Sequence, residues 1–239
     1  MASNSTESKK RISHATPKGS LLFAHLVSPD FGTEKYPNPE GSFSVNLILS
    51  AAESDKLKAK LADEIAEAKE LTKERFASLK PAVRAKFGKP NFSDLCVEEY
   101  DKNDEPTGNY RWRFKTAAFV TDRNTGRKRE RSVPIFDSMN QKVTLKEEPG
   151  NGSVAKVSFV ASPYFVDGQA MGGLSLYLNA VQIIKLNKAG ERSAEDYGFA
   201  EEEDGFVGSG NTKTANDDIE GLTPATSSGS EANYEEPDF

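Results

Sequence analysis

The chain has 239 residues, 36% of them hydrophobic and 28% charged, which allows one large domain or two small ones and leaves part of the chain too polar to fold. No apolar run approaches the roughly 20 residues of a membrane span, and a single cysteine, Cys96, excludes an intramolecular disulfide or a multi-cysteine zinc site. The net charge of −6 hides a split: residues 191–239 hold 14 acids and 2 bases, a net of −12, and the rest holds 29 bases and 23 acids, a net of +6.

Residues 1–18 read as a flexible basic arm, with Lys9, Lys10, Arg11 and Lys18 able to meet phosphates. The arm has no apolar signal core, which predicts an intracellular protein. Gly19–Val27 is rich in strand formers and predicts a buried strand. His25 lies inside it and His14 in the arm; two isolated histidines build neither a metal site nor a catalytic triad. Ser28–Gly41 carries the prolines and glycines of a loop and offers Phe31, Lys35 and Tyr36 to solvent. Ser42–Leu49 alternates, with Phe43, Val45, Leu47 and Leu49 on one face, as a half-buried strand does. Ser50 to Glu53 is a capping box. The amphipathic helix after it, with Leu57, Leu61, Ile65, Ala68, Phe76 and Leu79 on one side, should end near Lys80, because Pro81 disfavours helical geometry before it. One such helix between strands suits the plug of a small barrel.

Pro81–Asn109 reads as irregular. Its first part mixes Arg84, Lys86 and Lys89 with Phe87 and Phe92. Its second part holds Glu98, Glu99, Asp101, Asp104 and Glu105, adjacent in a turn-rich stretch. Two-metal catalysis needs carboxylates that converge; these read as a solvated turn.

Asn109–Asp137 is the most informative stretch. Two extended runs flank a turn that ends in Gly126, which predicts a β-hairpin. Strand alternation puts Tyr110, Trp112, Phe114, Thr116, Ala118 and Val120 on one face. Arg111, Arg113, Lys115, Phe119 and Thr121 share the other, and the returning run adds Arg127, Lys128, Arg129 and Arg131. A cationic sheet face bearing an aromatic suits a polymer with a charged backbone and flat bases; the competing reading is a solvated outer sheet face.

Val154–Ala161 is a further strand. Ser162–Gly173 reads as a loop that presents Tyr164 and Phe165, at least one of them a stacking candidate. Leu174–Leu186 is a final strand whose apolar alternation changes phase near Val181, Ile183 and Ile184, as a bulge would make it do. The expected organisation is an arm over 1–18, a binding domain over 19–190 and a disordered acidic tail over 191–239. The tail closes on Glu235, Glu236, Pro237, Asp238 and Phe239, a ligand for a basic groove with an apolar pocket. A basic body with such an extension points to a nucleic-acid partner and a tail that resembles it electrostatically.

In this order, Ser28-Pro29-Asp30-Phe31-Gly32, Asn38-Pro39-Glu40-Gly41, Pro81-Ala82-Val83, the hairpin from Trp112 to Asp137, Pro163-Tyr164 and the terminal Asp238-Phe239 resemble the replicative single-stranded DNA-binding proteins of tailed bacteriophages. The resemblance implies a mainly β chain: an OB-fold, a five-stranded Greek-key barrel, with one capping helix and a disordered acidic tail. It implies stacking at Tyr164, backbone contacts around Arg84 and Arg129, no cofactor and no catalytic residue. The family often has a second aromatic two positions after the tyrosine; that position is Val166 here, so either Phe165 substitutes for it or one stacking contact is missing. Dimers, strand annealing, and tail contacts with replicative polymerase and helicase-primase in the host cytoplasm are further implications. The DNA-binding set expected on these grounds is Arg84, Lys86, Arg111, Arg113, Lys115, Phe119, Arg127, Lys128, Arg129, Arg131, Tyr164 and Phe165, extended by Phe31, Lys35 and Tyr36. The alternatives from the residues are an RNA-binding or strand-annealing module, a metal-dependent nuclease, and a barrel that binds an acidic protein.

Overall fold

Alternating apolar residues close a barrel around Trp112, Phe114 and Phe159, all three fully buried. The computed structural model describes residues 12–122 and 125–188. In chain order the elements are β1 (Ser13–Ala15), β2 (Gly19–Gly32), β3 (Pro37–Ser50), α1 (Ala51–Lys60), α2 (Ala62–Ser78), α3 (Pro81–Phe87), β4 (Asn91–Phe92), β5 (Cys96–Tyr100), β6 (Pro106–Ala117), β7 (Phe119–Thr121) and β8 (Lys128–Glu130). After them come β9 (Ile135–Phe136), β10 (Lys142–Val143), β11 (Val154–Val166), a 3₁₀ turn (Asp167–Gln169) and β12 (Met171–Lys185).

Five long strands run in the order β11, β2, β3, β6, β12, and β12 pairs with β11 to close the ring. Neighbours are antiparallel except β6 and β12, which are parallel. This is the expected OB-fold. Closure needs bends. β12 supplies two: pairing skips Asn179 between Leu178 and Ala180, and Ile184 between Ile183 and Lys185. These are the places where the apolar alternation changes phase.

The helical cap is fixed at its start and along its buried face. Ser50 Oγ accepts from the Glu53 backbone N–H at 3.4 Å, the predicted N-cap. The helix distorts at Leu61, whose φ of −99° and ψ of 14° split it into α1 and α2. Leu57, Leu61 and Ala68 are buried, and Trp112 Nε1 donates to Ser54 Oγ at 3.0 Å, tying β6 to α1. α2 packs on β11 and β12. Gly172 has no side chain there because Thr72 fills the place a Cβ would occupy. Phe114 and Phe159 meet at 4.9 Å between centroids with a tilt of 51°, a favourable edge-type geometry.

Several segments are more regular than their composition indicates. Ser13–Ala15, inside the expected arm, pairs with β11. His14 is buried there, 2.6 Å from Glu64 Oε1. β2 and β3 continue as a long hairpin through the proline-rich stretch, where Asn38 Nδ2 donates to Asp30 O at 2.8 Å and Ser42 Oγ at 3.0 Å in place of ladder bonds. Pro81 ends one helix and opens α3 as its first residue, a position that needs no N–H. Glu98 and Glu99 belong to strand β5 and Asp101 to the turn after it.

Candidate nucleic-acid interface

β6 carries its core residues and its charges on opposite faces. Trp112, Phe114 and Thr116 point inward and are buried; Arg113 and Lys115 point outward and are exposed. Register places Ser44 beside Lys115 from β3 and Tyr177 beside it from β12. The outer surface here is a groove of about 590 Å³. Arg113, Lys115, Tyr164, Tyr177, Gly41, Ser42, Glu40 and Asp94 are among its lining residues.

The groove cations are uncommitted. Neither Arg113 nor Lys115 pairs with a carboxylate among the described residues. Of the two groove acids, Glu40 is held by Lys128 Nζ at 3.1 Å. An unpaired cation on an exposed strand can exchange small counterions for a polyanion.

The rings are seated on glycines. Tyr164 pairs with Gly173 across β11 and β12. A Cβ at position 173 would stand 2.9 Å from the Tyr164 hydroxyl oxygen and 3.0 Å from two of its ring carbons. Phe31 is seated similarly on Gly41, where a Cβ would stand 2.8 Å from its Cε1. Gly41 has a φ of +61°, which also favours glycine.

The structure thus brings Arg113, Lys115 and Tyr164 together, with Phe31 at the margin. The other expected residues lie around this centre or away from it. Arg111 faces Glu99, with Nε 3.6 Å from a carboxylate oxygen that is buried and has no hydrogen bond. A bend at Ala118 ends the strand parity, and Phe119 packs against the edge of the core. β7 and β8 form a separate two-stranded ribbon; Arg127, Lys128 and Arg129 are exposed on it. Arg131 is half-buried and donates to Thr116 Oγ1. Arg84 and Lys86 are exposed on α3, outside the groove lining. Phe165 pairs with Gly172, on the face turned to Thr72 of α2. Lys35 and Tyr36 stand at the tip of the β2–β3 hairpin, with the ammonium 5.5 Å from the ring centroid. Glu235, Glu236, Asp238 and Phe239 lie outside the described residues.

Sequence reasoning passed over Tyr177, which is 43% exposed. The signal was present. Leu174, Leu176 and Leu178 mark the inner face of β12, so residue 177 had to point outward.

A family model described as single-stranded DNA-binding protein, bacteriophage T7, matches residues 19–186. The single-stranded DNA-binding protein of Escherichia phage T7 is 27% identical over 201 residues, 81% of this chain and 83% of that protein. Its counterpart from Enterobacteria phage T3 is 28% identical over 197 residues, 78% of this chain and 81% of that protein. The crystal structure of gp2.5, a single-stranded DNA-binding protein encoded by bacteriophage T7, superposes with a TM-score of 0.60 at 22% identity, over 76% of this chain and 97% of that one, which shows a shared fold. With the match running from the first barrel strand to the last, this chain belongs to the bacteriophage T7 family of single-stranded DNA-binding proteins.

Proposed function

We propose that this chain binds and protects single-stranded DNA, without sequence preference, during phage replication and recombination. The observation that carries the reading is the meeting of Arg113, Lys115 and Tyr164 in one open groove. Each stacked base is worth about 1–3 kcal/mol and every base has a flat face, so stacking is indifferent to sequence. Phosphate contacts add affinity that falls with salt. The exposed cations of the β7–β8 ribbon and of α3 are the further backbone contacts of this reading. We read the protein as a binding module, not an enzyme.

The finer parts of the reading rest on the charge split. The tail over 191–239, with its net of −12, competes with DNA for the groove at an effective concentration of about millimolar. DNA displaces it, and the freed Glu235, Glu236, Asp238 and Phe239 recruit the replicative polymerase and the helicase-primase. Dimers, and action in the cytoplasm of the infected host, belong to the same proposal.

The test is a titration of labelled single-stranded DNA, double-stranded DNA and RNA oligomers of one length, together with a magnesium-dependent cleavage assay. The reading expects single-stranded DNA to bind best, with the same affinity for unrelated sequences and no cleavage products. Preferential RNA binding would move the protein to the RNA-binding alternative, and cleavage would make it a nuclease.

A further inference from the structure

We propose that Tyr177 is a second stacking platform of the groove, holding a different base of the same single strand that stacks on Tyr164. The proposal rests on the single-stranded DNA reading given above and adds a residue and a geometry to it. Tyr177 lies on β12, 43% exposed, in the groove lining with Tyr164. Its hydroxyl has no hydrogen-bond partner among the described residues. A ring that neither packs in the core nor anchors a hydrogen bond is available to a flat ligand.

Register fixes its relation to the other ring. From Gly173 to Tyr177 the β11–β12 pairing runs without a bulge, so residues 173, 175 and 177 share the outer face. Tyr164 is seated on Gly173. Four residues of strand separate the two seats by about 13 Å. Stacked bases lie about 3.4 Å apart, so one base cannot serve both rings, and a short run of nucleotides connects them. Lys115, opposite Tyr177 in the β6 pairing, offers its charge to the phosphates of that run. Phe165, the ring that adjacency to Tyr164 offered as a partner, pairs with Gly172 toward α2, so β12 supplies the second ring and not β11.

The experiment is a titration of labelled oligothymidylates of increasing length against the wild type, Tyr164→Ala, Tyr177→Ala and Tyr177→Phe. Thermal unfolding, followed through the buried Trp112, controls for folding. For oligomers long enough to span both seats, Tyr177→Ala should bind about 5- to 150-fold more weakly, the loss of one base stack. Its salt slope and Tm should stay unchanged, and Tyr177→Phe should bind as the wild type does. For oligomers too short to reach from one seat to the other, Tyr177→Ala should equal the wild type. If Tyr177→Ala binds long oligomers normally while Tyr164→Ala does not, the second platform is wrong and the groove stands. Equal Tm losses in both Tyr177 variants would assign the residue a structural role and also overturn the proposal. If Tyr164→Ala is as tight as the wild type at every length, the groove reading itself fails.

Discussion

A methyl group added at position 173 would press on the Tyr164 ring at about 3 Å. Gly173→Ala should therefore lift or turn that ring and weaken DNA binding toward the level of Tyr164→Ala, a loss of about 1–3 kcal/mol, with the salt slope unchanged. Oligonucleotide titrations at several salt concentrations check this. Arg111 and Arg113 are two residues apart on one strand face and should nevertheless differ. Arg111→Ala leaves the buried Glu99 oxygen without the one ionic neighbour it has among the described residues, so it should lower Tm. Arg113→Ala removes a charge that has no carboxylate partner among the described residues, so Tm should hold and affinity should fall. Thermal melts of the two variants side by side decide this. At this scale alternation made much of the site legible: it identified Arg113 and Lys115 as outward cations. It could not show that Arg111 is shared with Glu99, because that contact joins two strands whose pairing no local pattern encodes.

Among the elements, one carboxylate braces the β2 strand of the long β2–β3 hairpin. Glu148 accepts from the backbone N–H groups of Leu26, Val27 and Ser28 at 2.7–3.1 Å. Glu148→Ala should destabilise the protein by about 1–3 kcal/mol, as expected where charge-assisted bonds are lost, read as a shift of the denaturation midpoint. The turn that feeds β6 should respond to pH. Asp101 accepts from the N–H of Glu105 at 3.0 Å and of Asn103 at 2.7 Å, and these bonds, Glu105 foremost, hold its carboxyl below the ordinary carboxylate value. A depressed folded value means that the turn is fully supported above the ordinary range near pH 4 and loosens as pH falls through the lower value. Amide resonances of Asn103 and Glu105 should hold near pH 4 and move together on further acidification. The barrel strands, the Ser50 cap and the β12 phase change were readable because each is a local pattern. β1, the extended proline-rich hairpin and α3 were not. His14 becomes a strand residue through Phe159 and Glu64, both distant in sequence, and Pro81 reads equally well as an end and as a beginning.

The chain as a whole is divided by charge. A body of net +6 and a tail of net −12 should attract each other, so removing residues 191–239 should raise affinity for single-stranded DNA and make it more salt-sensitive. Unchanged or lower affinity would end the self-competition reading. Trp112, the one tryptophan, is fully buried and reports folding, so binding must be followed from a labelled oligonucleotide. The most direct test of the groove is the salt dependence of that binding in Arg113→Ala/Lys115→Ala. Each lost phosphate contact on a single strand reduces the slope of log K against log salt by about 0.7. The account predicts a slope shallower by about 1.4 with an unchanged Tm; a slope equal to that of the wild type would contradict it.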